Sequence, residues 1–285
     1  MQEQPKGNFR QDRKGERMIT SVSNRKVKEL VELSAKSKAR AQADVFLAEG
    51  RKLFMEAPAE RIAEVYVEEA CYHGADGAMR EKLDALPVEL VSSEVFRKIS
   101  DTKTPQGVLS VIRQSHYQLH ALLKETGGET PLFLVLERIQ DPGNLGTMFR
   151  TAEGAGVTGV ILTRDTADLY SPKTIRSTMG SVYRVPFVVA EDLAAALGEL
   201  AAAGVHTYAA CPAEGAYVYD APDYREPCAF LIGNEGNGLR EETVRCAQSC
   251  ITIPMAGQVE SLNAAMAAGI LLYEAARQRR GGSAR

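Results

Sequence analysis

The polar residues Glu260, Ser261 and Asn263 stand together where a helix is predicted to begin. They follow an apolar run that ends at Pro254 and precede a stretch rich in small residues: Ala264, Ala265, Ala267, Ala268 and Gly269. Either Ser261 or Asn263 could simply accept hydrogen bonds from the free N–H groups of the first helical turn, so capping is a complete alternative to a role in chemistry. The small residues favour close packing of this helix against another backbone.

Arg150 is the second candidate for chemistry. It lies in a predicted helix, four residues after Gly146 and seven after Gly143, so its side chain can lean back over a surface of glycines. Asp141–Asn144 is predicted as a turn at the end of a strand, with proline fixing φ and glycine accepting a positive φ. A guanidinium there suits a phosphate or a ribose. An ordinary surface salt bridge is the alternative.

A third stretch is predicted to expose backbone N–H and C=O groups. The buried strand Phe230–Ile232 runs into Gly233–Gly238, which has three glycines in six residues. Such a loop lets a ligand approach the backbone, although it could also be a plain turn. Its spacing is neither G-x-G-x-x-G nor that of a P-loop. An NAD-dependent enzyme on a doubly wound sheet is therefore disfavoured.

The elements that position these residues alternate between strands and helices. Leu132–Leu136 is apolar throughout, and Val160–Leu162 follows the next helix, which predicts a parallel sheet buried on both faces. Residues 18–113 form a smaller α/β unit, and residues 114–130 are predicted as a connector. Its first helix is predicted to be capped by Ser23 and to present an apolar stripe. The stripe consists of Val27, Leu30, Val31 and Leu33, and the predicted strands are 45–49, 65–67, 88–91 and 107–112.

Composition restricts the class of protein. The chain has 285 residues, 45% hydrophobic and 25% charged, which is ordinary for one large or two smaller domains. No apolar run is long enough to span a membrane and the N-terminus is polar, so we expect a cytoplasmic protein without a membrane partner. The five cysteines form no CxxC pair, which argues against disulfides and zinc. His116 and His120 have a metal-binding spacing but lack a third ligand, so no metal is predicted.

Charge is unevenly distributed. The net charge is −3, yet the first 40 residues contain eleven lysines and arginines against five acidic residues. A basic segment on an acidic body favours binding of a polyanion such as RNA. A solvated helix face with a disordered tail would give the same pattern.

Three motifs carry a resemblance to a known family. DPGNLG with the arginine at 150, IGNEGNGL, and IPM followed by ESLNAA occur in this order. Together they closely resemble the signature motifs of the SpoU (TrmH) family of RNA ribose 2′-O-methyltransferases, in the SPOUT class. The resemblance covers Leu132 to Tyr273 and includes Ser171–Lys173 and Met179–Ser181. More loosely, Ala48–Gly50 and Pro105–Val108 are similar to the ribosomal-protein-like substrate-binding domain of such enzymes.

The resemblance implies a domain organisation. Residues 131–285 would form the knotted, parallel-sheet α/β methyltransferase domain, in which the chain end is threaded into a trefoil knot, an exception to the usual rule. Residues 18–113 would be a smaller α/β, RNA substrate-binding domain. Residues 114–130 are predicted from their composition as a linker, and residues 1–17, which match no part of the family, are predicted as a disordered basic tail. The flank Glu137–Ile139 departs from the commoner residues of the family, which would bear on substrate contacts.

The resemblance also implies the site. S-adenosylmethionine is the expected cofactor, held by backbone groups at Gly233, Ile253 and Leu262 with Met255 alongside. Arg150 matches the proposed catalytic residue of the family. The other motif polar positions, counted here with the catalytic group, are Asn144, Glu235, Ser261 and Asn263.

The implied chemistry leaves the role of Arg150 open. A ribose hydroxyl is a poor nucleophile, while a methyl group on a sulfonium is already activated, so the enzyme must position the attack and remove a proton. Because the pKa of an arginine lies above 12, Arg150 would either be a strongly perturbed base or orient ribose and phosphate.

The resemblance and the helix of small residues also lead to predictions about the substrate, the function and the oligomeric state. Ribosomal RNA is favoured over transfer RNA by the extra N-terminal domain, which is analogy. A non-catalytic RNA-binding protein on the same scaffold is the alternative from another class. A homodimer is expected, because a contact between two copies of the helix from Ala264 to Ala276 suits two-fold symmetry.

Overall fold

The computed structural model describes residues 9–11, 17–124 and 128–282. These residues form two compact units. The first comprises the described residues up to Ser115 together with Tyr170–Tyr183, and the second comprises His116–Leu169 and the described residues from Arg184 onward. Tyr170–Tyr183 therefore packs with the N-terminal unit, although the sequence prediction assigned it to the domain 131–285.

Strands of the first unit form one mixed sheet. Strand β1 pairs antiparallel with β2, and the sheet order is β1-β2-β5-β4-β6-β3. The strands predicted at 45–49, 65–67, 88–91 and 107–112 are confirmed, with small shifts at their ends. The predicted tail, residues 1–17, lies mostly outside the described residues, except that it includes β1 and the first residue of β2. The strands are β1 Phe9–Gln11, β2 Arg17–Ile19, β3 Val45–Glu49, β4 Ile62–Glu68, β5 Val88–Val91 and β6 Val108–Arg113.

Helices lie between most strands of both units. None of those in the described ranges is both long and apolar enough to cross a membrane. In chain order they are α1 Arg25–Ala35, α2 Ser37–Ala43, α3 Arg51–Glu56, α4 Glu69–His73, α5 Gly77–Asp84, α6 Ser93–Ile99, α7 Leu119–Lys124, α8 Pro142–Ala155, α9 Pro172–Thr178, α10 Leu193–Ala202, α11 Glu241–Cys246 and α12 Ala264–Gly282, with short 3₁₀ turns at Ala59–Arg61 and Ser181–Tyr183.

The first helix begins one residue later than predicted. Asn24, rather than Ser23, is the N-cap of α1, and its side chain accepts a hydrogen bond from Lys26 N at 2.9 Å. Ser23 Oγ is instead hydrogen-bonded to Ser21 Oγ. Asn24 directly precedes the first helical residue, which is where a side-chain oxygen can reach the free N–H groups. The predicted apolar stripe of α1 does pack into the core of the unit.

The second unit is built on a parallel sheet, as predicted. Its order is β11-β13-β10-β12-β7-β8-β9, and every neighbouring pair runs parallel. All residues of β7, β8 and β12 are buried. Because the strands share one direction, the loops after β7, β10, β12 and β13 open at the same edge. The strands are β7 Leu132–Leu136, β8 Gly159–Thr163, β9 Phe187–Ala190, β10 His206–Ala210, β11 Tyr217–Val218, β12 Cys228–Ile232 and β13 Ser249–Thr252.

The predicted turn at Asp141–Asn144 is instead the first turn of α8. Asp141 is the N-cap, its side chain accepts from Asn144 N at 2.8 Å, and Pro142 occupies the first turn. The fixed φ of proline suits that position. Gly143 does not adopt the positive φ that we predicted for it. A Cβ there would lie 2.7 Å from Asp141 Oδ1, so the cap itself requires glycine.

Two helices of the second unit take roles that the sequence did not indicate. Leu119 and Leu122 of α7 are buried in its core, so part of the predicted connector belongs to this unit. Helix α12 packs on α8 and β12, and Gly269 faces Thr151. The small residues of α12 therefore serve contacts within the chain, which removes the reason from which we predicted a homodimer.

Candidate functional site

The carboxylate of Glu235 joins the loop after β12 to the loop after β7. Its Oε2 accepts a hydrogen bond from Gln140 N at 3.0 Å. Its Oε1 accepts from Asp141 N at 3.1 Å and from Asn144 Nδ2 at 3.0 Å. An ionised carboxylate accepts only, so these three donors hold Glu235 in one orientation at the start of α8.

Asn144 and Asn263 extend this network to the third motif. Asn263 Nδ2 donates to Asn144 Oδ1 at 3.0 Å. Asn263 Oδ1 accepts from Ala265 N at 2.9 Å and from Met266 N at 3.2 Å. Asn263 therefore caps α12, as the alternative interpretation proposed, and also binds Asn144. The chain of contacts Glu235, Asn144, Asn263 ties together the three motifs, which are far apart in sequence.

The loop after β12 is a closed turn held by its own backbone. Asn234 N donates to Gly238 O and Gly238 N donates to Asn234 O, at 3.1 and 2.9 Å. Asn234 Oδ1 also accepts from Gly236 N and Asn237 N, and Asn234 Nδ2 donates to Arg138 O. A Cβ on Gly233 would lie 2.5 Å from Gly238 O and would overlap the peptide that follows. Only glycine fits at position 233.

A cleft of about 370 Å³ lies beside this loop. It is bordered by the ends of β10, β12 and β13 and by the start of α12. All four residues predicted to hold the cofactor line it, together with two of the predicted catalytic residues. The predicted residues that line the cleft are Gly233, Glu235, Ile253, Met255, Ser261 and Leu262. Other lining residues are Cys211, Ile232, Asn234, Ile251, Glu260, Ala267 and Leu271.

The charges of the cleft favour a cationic or neutral ligand. Its lining residues include the carboxylates of Glu235 and Glu260 but no lysine, arginine or histidine. A ligand with a pyrophosphate, such as NAD, would place its negative charge against these carboxylates without a cation to offset it. The apolar residues that line the cleft offer surface for a flat ring.

The pKa of Glu235 lies below its ordinary value. Partial burial would raise this pKa, but hydrogen bonds from the Asn144 side chain and from the backbone N–H groups of Gln140, Glu235 itself and Asp141 outweigh burial and lower it. Hydrogen bonds to the charged form favour that form. Glu235 is therefore an anchor that stays ionised, rather than a base that gains a proton near neutral pH.

The lowered pKa of Glu235 predicts how stability depends on pH. The stabilisation is fully present above the ordinary pKa of 4.5 and is lost as pH falls through the lower pKa of the folded state. We expect Glu235→Gln to lower the Tm by a few degrees at neutral pH. This difference should shrink in acid, because wild-type Glu235 is then protonated and as neutral as glutamine. Thermal unfolding at several pH values measures it.

Glu260→Gln is the matched control for this experiment. Glu260 is an exposed carboxylate of the same cleft that forms no hydrogen bond or ion pair with any residue in the described ranges. Its replacement should change the Tm little at any pH. An equal, pH-independent effect of the two substitutions would contradict the anchoring role of Glu235.

Cys211 is a half-buried thiol in the wall of the cleft. Burial, and to a smaller extent the neighbouring Cys250 sulfur, raises the pKa of this thiol to about 12. Since the thiolate is the nucleophilic form, Cys211 is neutral and unreactive at neutral pH. The thiol therefore contributes polarizable, uncharged surface to the cleft.

Arg150 and Ser261 have no partner within the part of the chain that the structure describes. The Arg150 side chain is exposed, lies outside the cleft lining and forms no hydrogen bond or ion pair there. Ser261 is exposed at the edge of the cleft and likewise forms no hydrogen bond. The geometry thus joins Glu235, Asn144 and Asn263, and leaves Arg150 available to a ligand outside the cleft.

Glu137 was interpreted as a substrate-contacting flank, and this is wrong. Its side chain is 1% exposed. Its carboxylate accepts from Arg240 N and Thr243 Oγ1, both at 2.8 Å, at the start of α11. A buried carboxylate is retained only when its oxygens are paired, and here it fastens α11 to the end of β7.

Asn234 is the site residue that sequence reasoning missed. Its side chain organises the loop around Gly236 and Asn237, as described above. An asparagine two residues before a glycine is a recognised turn signal, so the pattern was available. Metal binding has no candidate site among the described residues, which contain no group of three or more His, Cys, Asp and Glu side chains close enough to share an ion.

Two family models match the chain. The model of the SpoU rRNA Methylase family matches residues 131–273, and that of the MRM3-like substrate binding domain matches residues 24–110. Among curated relatives, the 23S rRNA (guanosine(2553)-2'-O)-methyltransferase RlmP of Bacillus subtilis is 34% identical over 259 residues, covering 90% of this chain and 98% of that protein. The 23S rRNA (guanosine-2'-O-)-methyltransferase RlmB of Shewanella oneidensis is 32% identical over 197 residues, covering 68% and 79%.

Solved structures show the same similarity over both units. The AdoMet-bound rRNA methyltransferase from Sinorhizobium meliloti has a TM-score of 0.77 at 33% identity, covering 91% of this chain and 97% of that one. The SpoU methyltransferase AviRb from Streptomyces viridochromogenes, in complex with the cofactor AdoMet, has a TM-score of 0.79 at 26% identity, covering 90% and 98%.

Proposed function

Because the chain belongs to the SpoU rRNA methylase family, we propose that it is an RNA methyltransferase that transfers a methyl group from S-adenosylmethionine to a ribose 2′-hydroxyl. The observation that carries the proposal is the cleft, which gathers the predicted cofactor residues and excludes cationic side chains. Large-subunit ribosomal RNA is the proposed substrate, and the match of residues 24–110 to a substrate-binding domain supports it. With this substrate, the cytoplasm is the proposed location of the enzyme.

The residues of the cleft fit S-adenosylmethionine. In the described part of the chain, the peptide groups of Gly233, Ile253 and Leu262 form no backbone hydrogen bond with other residues, so they are open to an adenine and a ribose. The carboxylates of Glu235 and Glu260 suit the positive charge of the cofactor. When bound, the cofactor supplies a methyl group activated by its sulfonium.

The protein's own contribution is to position the cofactor and the ribose. Glu235, Asn144 and Asn263 lock the two loops and the start of α12 into one frame, so the cofactor cleft and the N-terminal half of α8 keep a constant geometry. Arg150, exposed two turns further along α8, is the group proposed to meet the ribose hydroxyl and its phosphate. A planar guanidinium can hold both at once.

Binding and transfer assays test the proposed function. Calorimetry should show saturable binding of S-adenosylmethionine and none of NAD. Mapping of 2′-O-methyl groups in ribosomal and transfer RNA, from cells with and without this gene, should show one ribosomal position that loses its methyl group. Loss at a transfer RNA position would contradict the ribosomal assignment. Binding of RNA without transfer to any RNA would indicate the non-catalytic alternative.

We also propose that the enzyme is a homodimer, for a reason that differs from the sequence argument. Met266 and Tyr273 of α12 are 62% and 48% exposed. Seven residues apart, they lie on the same face of the helix, away from the buried Ala264, Ala268 and Ala275. An exposed apolar helix face of this kind is covered economically by a second copy across a two-fold axis.

Sedimentation at micromolar concentration is expected to give a dimer, and the double substitution Met266→Glu, Tyr273→Glu to give a monomer, because the carboxylates would be buried without partners in the interface. Tyr217→Glu serves as the control, since Tyr217 is also exposed but lies on β11. A monomeric wild-type protein would contradict the dimer.

A further inference from the structure

The two motifs of the N-terminal unit, Ala48–Gly50 and Pro105–Val108, meet in the structure. Gln106 Oε1 accepts a hydrogen bond from Arg51 N at 3.0 Å. Gly50 has a φ of 111°, and a Cβ there would lie 3.0 Å from Gln106 Oε1. The positive φ favours glycine at position 50, and the Gln106 side chain packs closely against it at the end of β3.

The carboxylate of Glu49 holds the neighbouring loop in place. It accepts hydrogen bonds from Ser100 Oγ at 2.8 Å, from Asp101 N at 3.2 Å and from Thr102 Oγ1 at 2.8 Å. Its oxygens are occupied by these donors. The loop that leads to Gln106 is therefore tied down at its start, and the Glu49 carboxylate is stabilised by neutral donors while keeping its negative charge.

The segment Tyr170–Tyr183 completes this part of the first unit. The ring of Tyr170 stacks on Phe46, with centroids 4.6 Å apart. Arg176 Nη1 donates to Asp101 Oδ2 at 2.8 Å. Met179, at the end of α9, has a left-handed φ of 52° and is 39% exposed. A segment that the SpoU model includes is thus fastened to the N-terminal unit.

These loops and the segment enclose a cleft of about 240 Å³. It contains two cationic side chains, Arg176, which is paired with Asp101, and Lys52, whose Nζ lies 3.7 Å from Glu56 Oε1, and an apolar surface from Leu53 and Met179. Within the described residues, the hydroxyl of Thr104 and the Nε2 group of Gln106 form no hydrogen bond, so both are available to a ligand. The full lining is Glu49, Gly50, Lys52, Leu53, Thr102, Thr104, Gln106, Arg176 and Met179.

We propose that this cleft holds one nucleotide of the RNA substrate, and that Arg176 and Met179 from the methylase segment complete it. Lys52 and Arg176 neutralise the phosphate, the Met179 thioether packs on the face of the base, and Gln106 Nε2 donates to its edge. The inference rests on the proposed function, because it takes RNA as the ligand. It explains why part of the methylase sequence folds with the N-terminal unit: the segment contributes to substrate recognition.

Met179→Gly separates recognition from folding. Glycine adopts a left-handed φ without a Cβ penalty, so the variant should keep or raise the Tm. Removal of the side chain from the face of the base should weaken binding of deproteinised 23S ribosomal RNA by roughly tenfold. Affinity for S-adenosylmethionine should not change. A purely structural role of Met179 would not combine a retained Tm with weaker RNA binding.

Lys52→Ala tests the phosphate contact, with Lys28→Ala as its control. Lys28 is an exposed lysine of the same unit, on α1, that does not line the cleft. Lys52→Ala should weaken RNA binding several-fold and make its dependence on salt less steep, by the loss of about one phosphate contact. Lys28→Ala should leave the salt dependence as in the wild type.

The outcomes for the cleft and for the enzyme are distinguishable. The cleft proposal is overturned if the wild type binds RNA and transfers the methyl group but Met179→Gly and Lys52→Ala bind RNA as tightly as the wild type. That result would leave the proposed enzymatic function standing. Wild-type protein that binds neither S-adenosylmethionine nor RNA contradicts the proposed function, and the cleft proposal with it.

Discussion

Arg150→Ala is expected to lower the rate of methyl transfer by roughly 10²-fold or more, the order lost with a positioned acid–base or orienting group. Affinity for S-adenosylmethionine and the Tm should stay near wild type. The physical reason is its placement, since the side chain is exposed, lies outside the cofactor cleft and has no partner in the described part of the chain. Single-turnover transfer to ribosomal RNA measures the rate.

Arg150→Lys distinguishes two roles for the guanidinium. Lysine keeps the positive charge but loses the planar fork that can hold a phosphate and a hydroxyl together. If Arg150 acted only through its charge, the lysine variant would retain substantial activity. We expect Arg150→Lys to lower the rate of methyl transfer nearly as much as Arg150→Ala, because holding both groups requires the planar fork.

Arg280→Ala is the control for both Arg150 variants. Arg280 is an exposed arginine in the last turns of α12, also without a partner among the described residues. Its loss should leave the rate of transfer unchanged. Methylation by either Arg150 variant at a rate near that of wild type would show that Arg150 is an ordinary surface arginine.

Gly233→Ala is expected to destabilise the protein by about 3 kcal/mol, the upper end for overpacking, and to abolish binding of S-adenosylmethionine. The new methyl group would overlap Gly238 and the N atom of Leu239. These are backbone atoms of a turn closed by hydrogen bonds between Asn234 and Gly238, so no side-chain rotation relieves the overlap. The turn must move, and with it the wall of the cleft.

Gly236→Ala is the matched control for stability. It lies in the same loop, but a Cβ there has Asn234 Oδ1 as its nearest neighbour at 3.6 Å, an ordinary contact. Its Tm should match wild type, while that of Gly233→Ala falls by several degrees. Thermal unfolding with calorimetric titration of the cofactor measures both effects. Equal Tm values for the two variants would refute the steric requirement at position 233.

The strands and the parallel sheet followed from local pattern. Leu132–Leu136 and Phe230–Ile232 are continuous apolar runs, which suit strands buried on both faces, and both lie in such strands. Helix starts were less certain. Ser23 and Asn24 are both good caps, and only the backbone geometry selects the second. At Asp141–Asn144 the residues of a turn are also those of a capped helix start with proline in its first turn.

The sequence by itself determined the motifs, and through them the family, the cofactor and the reaction. The resemblance named Asn144, Glu235, Ser261 and Asn263 as the polar set that accompanies Arg150, because motifs are local properties of the sequence. The trefoil knot that the resemblance implies stays a prediction.

Only the tertiary structure decided which of these residues touch. It made Asn263 both a helix cap and a partner of Asn144, it made Gly233 indispensable through a contact with Gly238, and it buried Glu137 under α11. It also folded Tyr170–Tyr183 with the N-terminal unit. The reason is physical: each contact joins side chains or backbone atoms whose separation depends on strand order and loop closure, and composition, periodicity and motif spacing carry no record of either.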